Sequence, residues 1–264
     1  MKIAILGAGK MGTWLCDALC LQHEVAVYDP EVKRLSYVFN TIRMMRLEEI
    51  ADFVPEILIN SANLQHTRKA FEEALPFLSE DCILADIASV KNGLQHFYLN
   101  SGRRFVSVHP MFGPTFASLN DLSRHHAVII KESDEEGKAF FRSFFGSLGL
   151  RLHDYSFEEH DQTIAYSLSV PFASTLVFGA CMKHQEAPGT TFEKHLTIAR
   201  GLLSEDDHLL SEILFNPYTL PQLENICDAL EHLKNLIKDK NSLGMRSFLA
   251  KVREGLVDSQ ANTL

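Results

Sequence analysis

The chain has 264 residues, of which 46% are hydrophobic and 22% are charged. These proportions are typical of a globular protein, and they exclude collagen-like, mucin-like and broadly disordered classes. The formal net charge is −9. Because the chain carries no basic block, we expect no nucleic-acid partner and no anionic membrane partner. Small molecules and other protein chains are the expected partners.

The first 155 residues alternate between short apolar strands and amphipathic helices. Strands are predicted over residues 2–6, 24–29, 56–60, 81–86, 105–108, 127–130 and 150–152. Helices are predicted over residues 11–21, 65–78 and 135–148. This alternation predicts an α/β fold, with a mostly parallel sheet and helices on both of its faces.

Beyond residue 155 the pattern becomes helical throughout. Helices are predicted over residues 158–184, 191–203, 206–214, 220–238 and 242–256. We therefore expect two domains, a sheet domain over residues 1–155 and an all-α domain over residues 156–264. The stretch 165–182 is the most membrane-like, but it contains Pro171 and several serines. We interpret it as a buried core helix or an interface helix and not as a bilayer span.

A glycine-rich motif, Gly7-Ala8-Gly9-Lys10-Met11-Gly12, joins the first strand to the first helix. In such a motif Gly7 allows a tight turn, Gly9 lets the backbone approach a pyrophosphate, and Gly12 lets helix and strand pack closely. The free N–H groups at the start of the helix favour negative charge. The motif predicts a Rossmann-like dinucleotide site that uses all six residues. A glycine-rich turn without a ligand is the alternative.

An acidic residue, Asp29, ends the second predicted strand 22 residues after Gly7. A carboxylate at this position accepts hydrogen bonds from ribose hydroxyls and repels a 2′-phosphate. We therefore predict NAD as the cofactor in preference to NADP. Ala62, in the loop after the strand 56–60, is a further expected cofactor-binding residue.

Two polar side chains follow neighbouring predicted strands. Ser89 lies in Asp86-Ile87-Ala88-Ser89-Val90-Lys91, and His109 opens His109-Pro110-Met111-Phe112-Gly113-Pro114. Loops at the carboxyl ends of parallel strands form the ligand crevice of such sheets. His109 has the pKa range of a general base near neutral pH. Ser89 is expected to hydrogen-bond a ligand, to cap the next helix, or to do both.

Neither the cysteines nor the histidines form a metal-binding pattern. The five cysteines include no pair with the two-residue spacing of zinc or redox motifs, so we predict no metal site. Free thiols and the absence of a predicted signal peptide favour a reducing, cytoplasmic location.

These motifs, together with Glu159-His160-Asp161 at the start of a long apolar helix, resemble the prephenate dehydrogenase family over nearly the whole chain. The resemblance implies an NAD-dependent oxidoreductase of tyrosine biosynthesis. Its reaction is the oxidative decarboxylation of prephenate to 4-hydroxyphenylpyruvate, with release of CO2. By the same resemblance, His109 is the catalytic base for the ring hydroxyl and Ser89 is the supporting hydroxyl.

The resemblance also implies a cation for the substrate carboxylate and a homodimer. Arg200 is the best match for that cation, and His195 and Thr115 are further expected substrate-binding residues. Phe172 stands where many members of the family have a histidine, which leaves the choice between prephenate and arogenate open. The homodimer is expected to form through the helical domain.

Three alternatives remain open at the level of the sequence. The first is an arogenate dehydrogenase, and the second is another NAD(P)-dependent hydroxy-acid or imine oxidoreductase. The absence of lysine between residues 158 and 182 counts against the β-hydroxyacid dehydrogenases, which the resemblance associates with a lysine there. The third is an NAD-binding sensor or assembly protein without catalytic activity.

Overall fold

The computed structural model describes residues 1–113 and 121–261. The chain forms two compact units, Met1–Pro217 and Tyr218–Leu264. The boundary predicted at residue 155 lies inside the first unit, where strands give way to helices. The division into domains at that residue stays a prediction.

The first unit contains an eight-stranded sheet in the order β3-β2-β1-β4-β5-β6-β7-β8. The strands are β1 (Lys2–Leu6), β2 (Glu24–Tyr28), β3 (Ile42–Met44), β4 (Ile57–Asn60), β5 (Ile83–Asp86), β6 (Phe105–Pro110), β7 (His126–Ile130) and β8 (Arg151–Tyr155). Strands β1 to β6 run parallel, β7 pairs antiparallel with β6, and β8 pairs parallel with β7. The predicted mostly parallel α/β sheet is confirmed.

Helices connect the strands and form the whole of the later part of the described chain. They are α1 (Lys10–Leu19), α2 (Ile50–Phe53), α3 (Leu64–Ala74), α4 (Leu94–Ser101), α5 (Glu135–Ser147), α6 (Phe157–Ile164), α7 (Val170–Cys181), α8 (Thr190–Leu202), α9 (Asp207–Leu214), α10 (Thr219–Lys238) and α11 (Ser242–Ala261). A π-helical segment, Ala165–Ser169, joins α6 to α7. The predicted helical region beyond residue 155 is confirmed.

The core consists of two apolar layers, one on each face of the sheet. Alternate residues of a strand point to opposite faces, so Ile3 and Ile5 pack with residues of α1 and α5, whereas Ala4 and Leu6 pack with residues of α3 and α4. Strands covered on both sides are apolar throughout. This burial holds the carboxyl ends of the strands in fixed register.

Three short elements were not predicted from the sequence. They are β3, α2 and α4. β3 has only three residues and pairs at the edge of the sheet through Ala26 and Tyr28 of β2, so its backbone contacts decide its conformation. The N-cap of α4 is Gly93, which has a φ of +74°. The apolar residues of such short segments do not repeat often enough to reveal a period.

Helix α7 is apolar, yet none of its residues is buried within the chain. Among the described residues, the run Phe157–Cys181 is the one helical stretch long and apolar enough to cross a membrane, with a mean hydropathy of 1.5. Length and apolar composition alone do not identify a membrane span, because helices of soluble proteins can have the same features. Of the two interpretations given to residues 165–182, a buried core helix is wrong for α7, and an interface helix stays a prediction.

Candidate active site

The site lies at one edge of the sheet, where four parallel strands end. The last residues of β1, β4, β5 and β6 are Leu6, Asn60, Asp86 and Pro110. In open α/β sheets, ligands bind outside the carboxyl ends of the strands. Three strand spacings of about 4.8 Å separate β1 from β6, so the ends of this crevice are about 14 Å apart.

The glycine motif forms the tight turn that the sequence predicts. Gly7 has a φ of +97°, and a Cβ atom on Gly12 would lie 1.9 Å from the Gly7 carbonyl oxygen. Helix α1 begins at Lys10, and its N-cap, Gly9, supplies no side-chain hydrogen bond. A Cβ on Gly9 would meet no atom within 4 Å. Free N–H groups therefore face open space, as binding of a phosphate requires.

A cavity of about 490 Å³ adjoins the glycine turn. Four predicted cofactor residues line it, namely Gly7, Gly9, Asp29 and Ala62. Asp29 is 3% exposed, and one of its carboxylate oxygens accepts a hydrogen bond from the Ala8 amide at 2.7 Å. The remaining lone pairs of a carboxylate can accept ribose hydroxyls. The cavity, the open turn and the carboxylate together fit the adenosine and phosphate groups of a dinucleotide.

The other predicted cofactor residues belong to the same turn without lining the cavity. Ala8 is buried, Lys10 is exposed and Met11 is half-buried. Lys10, Met11 and Gly12 lie in the first turn of α1. Their backbone geometry thus shapes the turn.

His109 lies near the end of β6 and is 5% exposed. Its Nδ1 atom is 3.0 Å from Nε2 of His160, on α6. Nδ1 of His160 is in turn 3.1 Å from Oδ1 of Asp161. Over residues 1–113 and 121–261, no hydrogen bond involves Nε2 of His109. The second ring nitrogen of His109 is therefore the one available to a substrate.

A buried ionic group lies beside the two histidines. The Lys91 ammonium pairs with Asp86 and donates to the Val108 carbonyl at 2.7 Å. The Tyr98 hydroxyl donates to the second oxygen of Asp86 at 2.7 Å. The Lys91 side chain thereby ties the end of β5 to the residue that precedes His109.

Burial disfavours the charged form of both histidine rings. It lowers the pKa of His109 well below its ordinary value, and the nearby His160 and Lys91 act in the same direction. Burial also lowers the pKa of His160, although Asp161 opposes that shift. A neutral His109 can accept a proton, which is the state that a general base needs.

Ser89 is half-buried in the loop after β5, and its hydroxyl makes no hydrogen bond to the part of the chain that the structure describes. The N-cap of α4 is Gly93. The alternative role of Ser89 as the cap of the next helix is therefore wrong. Its place at the carboxyl edge, one strand from His109, leaves the hydroxyl available to a ligand.

The structure does not join the expected substrate-binding residues of α8 to His109. Arg200 and His195 are both exposed, and Arg200 forms no ion pair within residues 1–113 and 121–261. His195 donates from Nδ1 to the Thr191 carbonyl at 2.9 Å. Thr115 lies outside the described residues. The roles of these three residues stay predictions.

The sequence missed the contacts that His160, Asp161 and Lys91 make around His109. All three stand within motifs that were noted, but residues 109 and 160 are far apart in the chain. A signal was present in the adjacent His160-Asp161 pair, because a carboxylate beside a histidine commonly orients a ring.

The described residues contain no group of three or more His, Cys, Asp or Glu that could hold a metal ion.

Comparisons with known proteins find relatives in sequence and in fold. Residues 31–145 match the model of the prephenate dehydrogenase nucleotide-binding domain. The T-protein of Enterobacter agglomerans is 29% identical over 151 residues, which are 54% of this chain and 40% of that protein. The chain spans about half the length of the curated relatives it matches.

Two solved structures share the fold. A prephenate dehydrogenase from Aquifex aeolicus, in complex with hydroxyphenyl propionate and NAD+, has a TM-score of 0.84 at 19% identity and covers 98% of both chains. An arogenate dehydrogenase from Synechocystis has a TM-score of 0.77 at 20% identity, over 98% of this chain and 100% of that one. At these identities the likeness establishes the fold.

The Rossmann-like sheet, with its open glycine turn and the cavity beside it, defines the class as the dinucleotide-binding proteins. Within that class, the match over residues 31–145 assigns the nucleotide-binding region of the chain to the prephenate dehydrogenase family. The resemblance that the sequence motifs predicted is confirmed.

Proposed function

We propose that the chain catalyses the NAD-dependent oxidative decarboxylation of prephenate to 4-hydroxyphenylpyruvate. One observation carries the proposal. His109 is buried, neutral and held through Nδ1, so its Nε2 atom is left to act at the carboxyl edge that also bears the glycine turn. The family match and the resemblance in fold support the same reaction.

NAD is the proposed cofactor, and it supplies the hydride acceptor when bound. The glycine turn would hold its phosphates, and Asp29 would accept its ribose hydroxyls. The same carboxylate disfavours a 2′-phosphate, because two negative charges would meet in a buried place. A further acid, Glu31, also lines the cavity.

The proposed chemistry requires one proton acceptor and precise positioning. His109 takes the proton of the ring hydroxyl while the hydride leaves the ring carbon that bears this hydroxyl. Ser89 hydrogen-bonds the same hydroxyl and fixes its orientation. The C–C bond to the ring carboxylate then breaks, CO2 leaves, and the electron pair of that bond completes the aromatic ring. The ring oxygen takes back the proton from His109, which gives the hydroxyl of the product and regenerates the neutral base.

The substrate carboxylates need a cation, and Arg200 is the proposed one. A guanidinium binds a carboxylate through two parallel hydrogen bonds. His195 and Thr115 are proposed as further substrate-binding residues. Phe172 is half-buried on α7 and would present a ring in place of the histidine that many relatives carry.

A second copy of the chain is the proposed partner, with contact through the helices beyond residue 155. Support comes from α7, whose apolar side chains are not buried within one chain. Apolar faces of this kind are usually covered by another surface. The proposed location is the cytoplasm, in keeping with free cysteines.

The proposal is tested by mixing the purified protein with NAD and prephenate and following NADH absorbance together with CO2 release. We expect equal amounts of NADH, CO2 and 4-hydroxyphenylpyruvate. Parallel assays use arogenate, and NADP in place of NAD. Turnover of arogenate without turnover of prephenate would make arogenate the substrate in place of prephenate. Turnover of neither compound would overturn the proposed function.

A further inference from the structure

We propose that His160 and Asp161 are positioning residues that fix the tautomer of His109 and share the charge it acquires when it takes a proton. Neither residue was given a role by the sequence motifs. The inference deepens the proposed function, on which its kinetic part rests.

The direction of each hydrogen bond follows from the atoms involved. The Asp161 carboxylate only accepts, so Nδ1 of His160 carries the proton that lies between them, at 3.1 Å. In a neutral ring Nε2 of His160 is then an acceptor. The 3.0 Å contact with His109 therefore requires a proton on Nδ1 of His109.

The consequence is a defined lone pair on Nε2 of His109. That nitrogen has no hydrogen bond to the described residues, and it is the only ring position left to take a substrate proton. The alternative tautomer would place a proton on Nε2 and leave two acceptor nitrogens facing each other. Such a pair is unfavourable in a site where His160 is 0% exposed.

The hydrogen bonds from His109 to His160 and from His160 to Asp161 also stabilise the protonated state of His109. When Nε2 of His109 takes the hydroxyl proton, the N–H on Nδ1 becomes a stronger donor to His160. A shift of that proton to Nε2 of His160 would leave His109 neutral and put the positive charge on His160, next to Asp161. No other reactant is needed, and the proton count is conserved at every step.

The charges around the two histidines make the Asp161 carboxylate important. Lys91 disfavours positive charge on both rings, whereas Asp86 and Asp161 favour it on His160. Asp86 already pairs with Lys91 and accepts from Tyr98. Among the described residues whose charge acts on His160, Asp161 is therefore the acidic group left to balance a protonated histidine pair.

The first test reads the tautomer directly and needs no turnover. Protein labelled with 15N in its histidine rings gives ring-nitrogen signals, and the His109 signals are identified by their loss in His109→Asn. We expect the signals of a neutral ring with the proton on Nδ1. A proton on Nε2 in the native protein would overturn the inference, whatever the activity.

The second test is kinetic and compares four variants over a range of pH. Asp161→Asn should lower kcat about tenfold or more with little change in KM, because the interaction matters after proton transfer. It should also move the acidic limb of the pH profile to lower pH, since the protonated pair loses its carboxylate. His160→Gln, whose amide oxygen can still accept from Nδ1, should retain more activity than His160→Leu.

Glu159→Gln is the matched control in the same helix. Glu159 accepts from the Ser156 amide and pairs with Lys131, so its loss loosens the start of α6 without touching His109. We expect lower thermal stability with an unchanged pH profile. An equal fall in kcat for Glu159→Gln and Asp161→Asn would overturn the inference, as would unchanged kcat in Asp161→Asn and His160→Leu. An inactive native protein would instead overturn the proposed function.

Discussion

The sheet region and the helical region after it bury their apolar residues in different ways. In the sheet region, two core layers enclose the strands, and only Phe157 of those core residues lies beyond residue 155. In the helical region, α7 is rich in apolar residues, none of which is buried. The core of the sheet region is therefore buried by the described chain itself, whereas the apolar side chains of α7 are not.

The same difference extends to function. The nucleotide end of the crevice depends on backbone conformation and on glycines packed without space for a side chain. The histidine end, which is the proposed catalytic end, depends on buried side chains from β5, β6 and α6. Variants in the two regions are therefore expected to change different properties of the protein.

The largest effect concerns stability and pH. His109 and His160 are buried and have lowered pKa values in the folded state, whereas an unfolded histidine has a pKa of about 6.5. As pH falls below that value, the unfolded chain takes up protons that the folded chain does not. The free energy of unfolding should therefore fall as the pH drops below about 6.5, by at most about 1.4 kcal/mol per pH unit for each histidine that stays unprotonated in the folded state.

Urea unfolding at several pH values measures this slope. In His109→Asn one of the two protons is absent, so the slope should be smaller than in the native chain. Equal slopes in both proteins would contradict the assignment of a neutral, buried His109.

The next effect concerns the glycine turn, and two variants separate its roles. Gly12→Ala should destabilise the sheet region by about 1–3 kcal/mol, because the new Cβ meets the Gly7 carbonyl. Gly9→Ala should leave stability nearly unchanged and weaken NAD binding, since its Cβ would occupy the open space. Thermal unfolding measures the effect on stability, and calorimetric titration with NAD measures the effect on binding. Unchanged NAD affinity in Gly9→Ala would show that the NAD phosphates do not bind at this turn.

A smaller effect is expected from Asp29→Asn. The variant keeps the shape of the side chain and removes its negative charge, so NAD affinity should fall by about tenfold and NADP should be discriminated against less. Glu31→Gln is the control, because it removes a nearby charge from the same cavity. A larger change in the ratio of NAD to NADP affinity for Glu31→Gln would assign the discrimination to Glu31.

The smallest effect on folding is expected in the helical region. Val177, on α7, is 57% exposed, so Val177→Lys should change the stability of a single chain by less than about 0.5 kcal/mol. It should nevertheless convert the proposed dimer to monomer in sedimentation experiments. Leu21→Lys, at an exposed apolar residue of the sheet region, should leave the dimer intact. A native chain that sediments as a monomer would refute the dimer.

The sequence predicted best what local patterns determine. The apolar strands and the glycine motif have fixed spacings, so β1, β2 and the turn at Gly7 lie where the pattern indicated. The polar contacts of His109 could not be predicted in this way. They depend on how α6 packs beside β6, which brings together residues that are 51 positions apart. The ionic pair of Lys91 likewise depends on the fold of the loop after β5.

The most direct test of the account compares NADH formation from prephenate in the native protein and in His109→Asn. We expect the native protein to turn over, and the variant to lose about a hundredfold or more of kcat while it binds NAD with unchanged affinity. Turnover of prephenate by His109→Asn at the native rate would contradict the account.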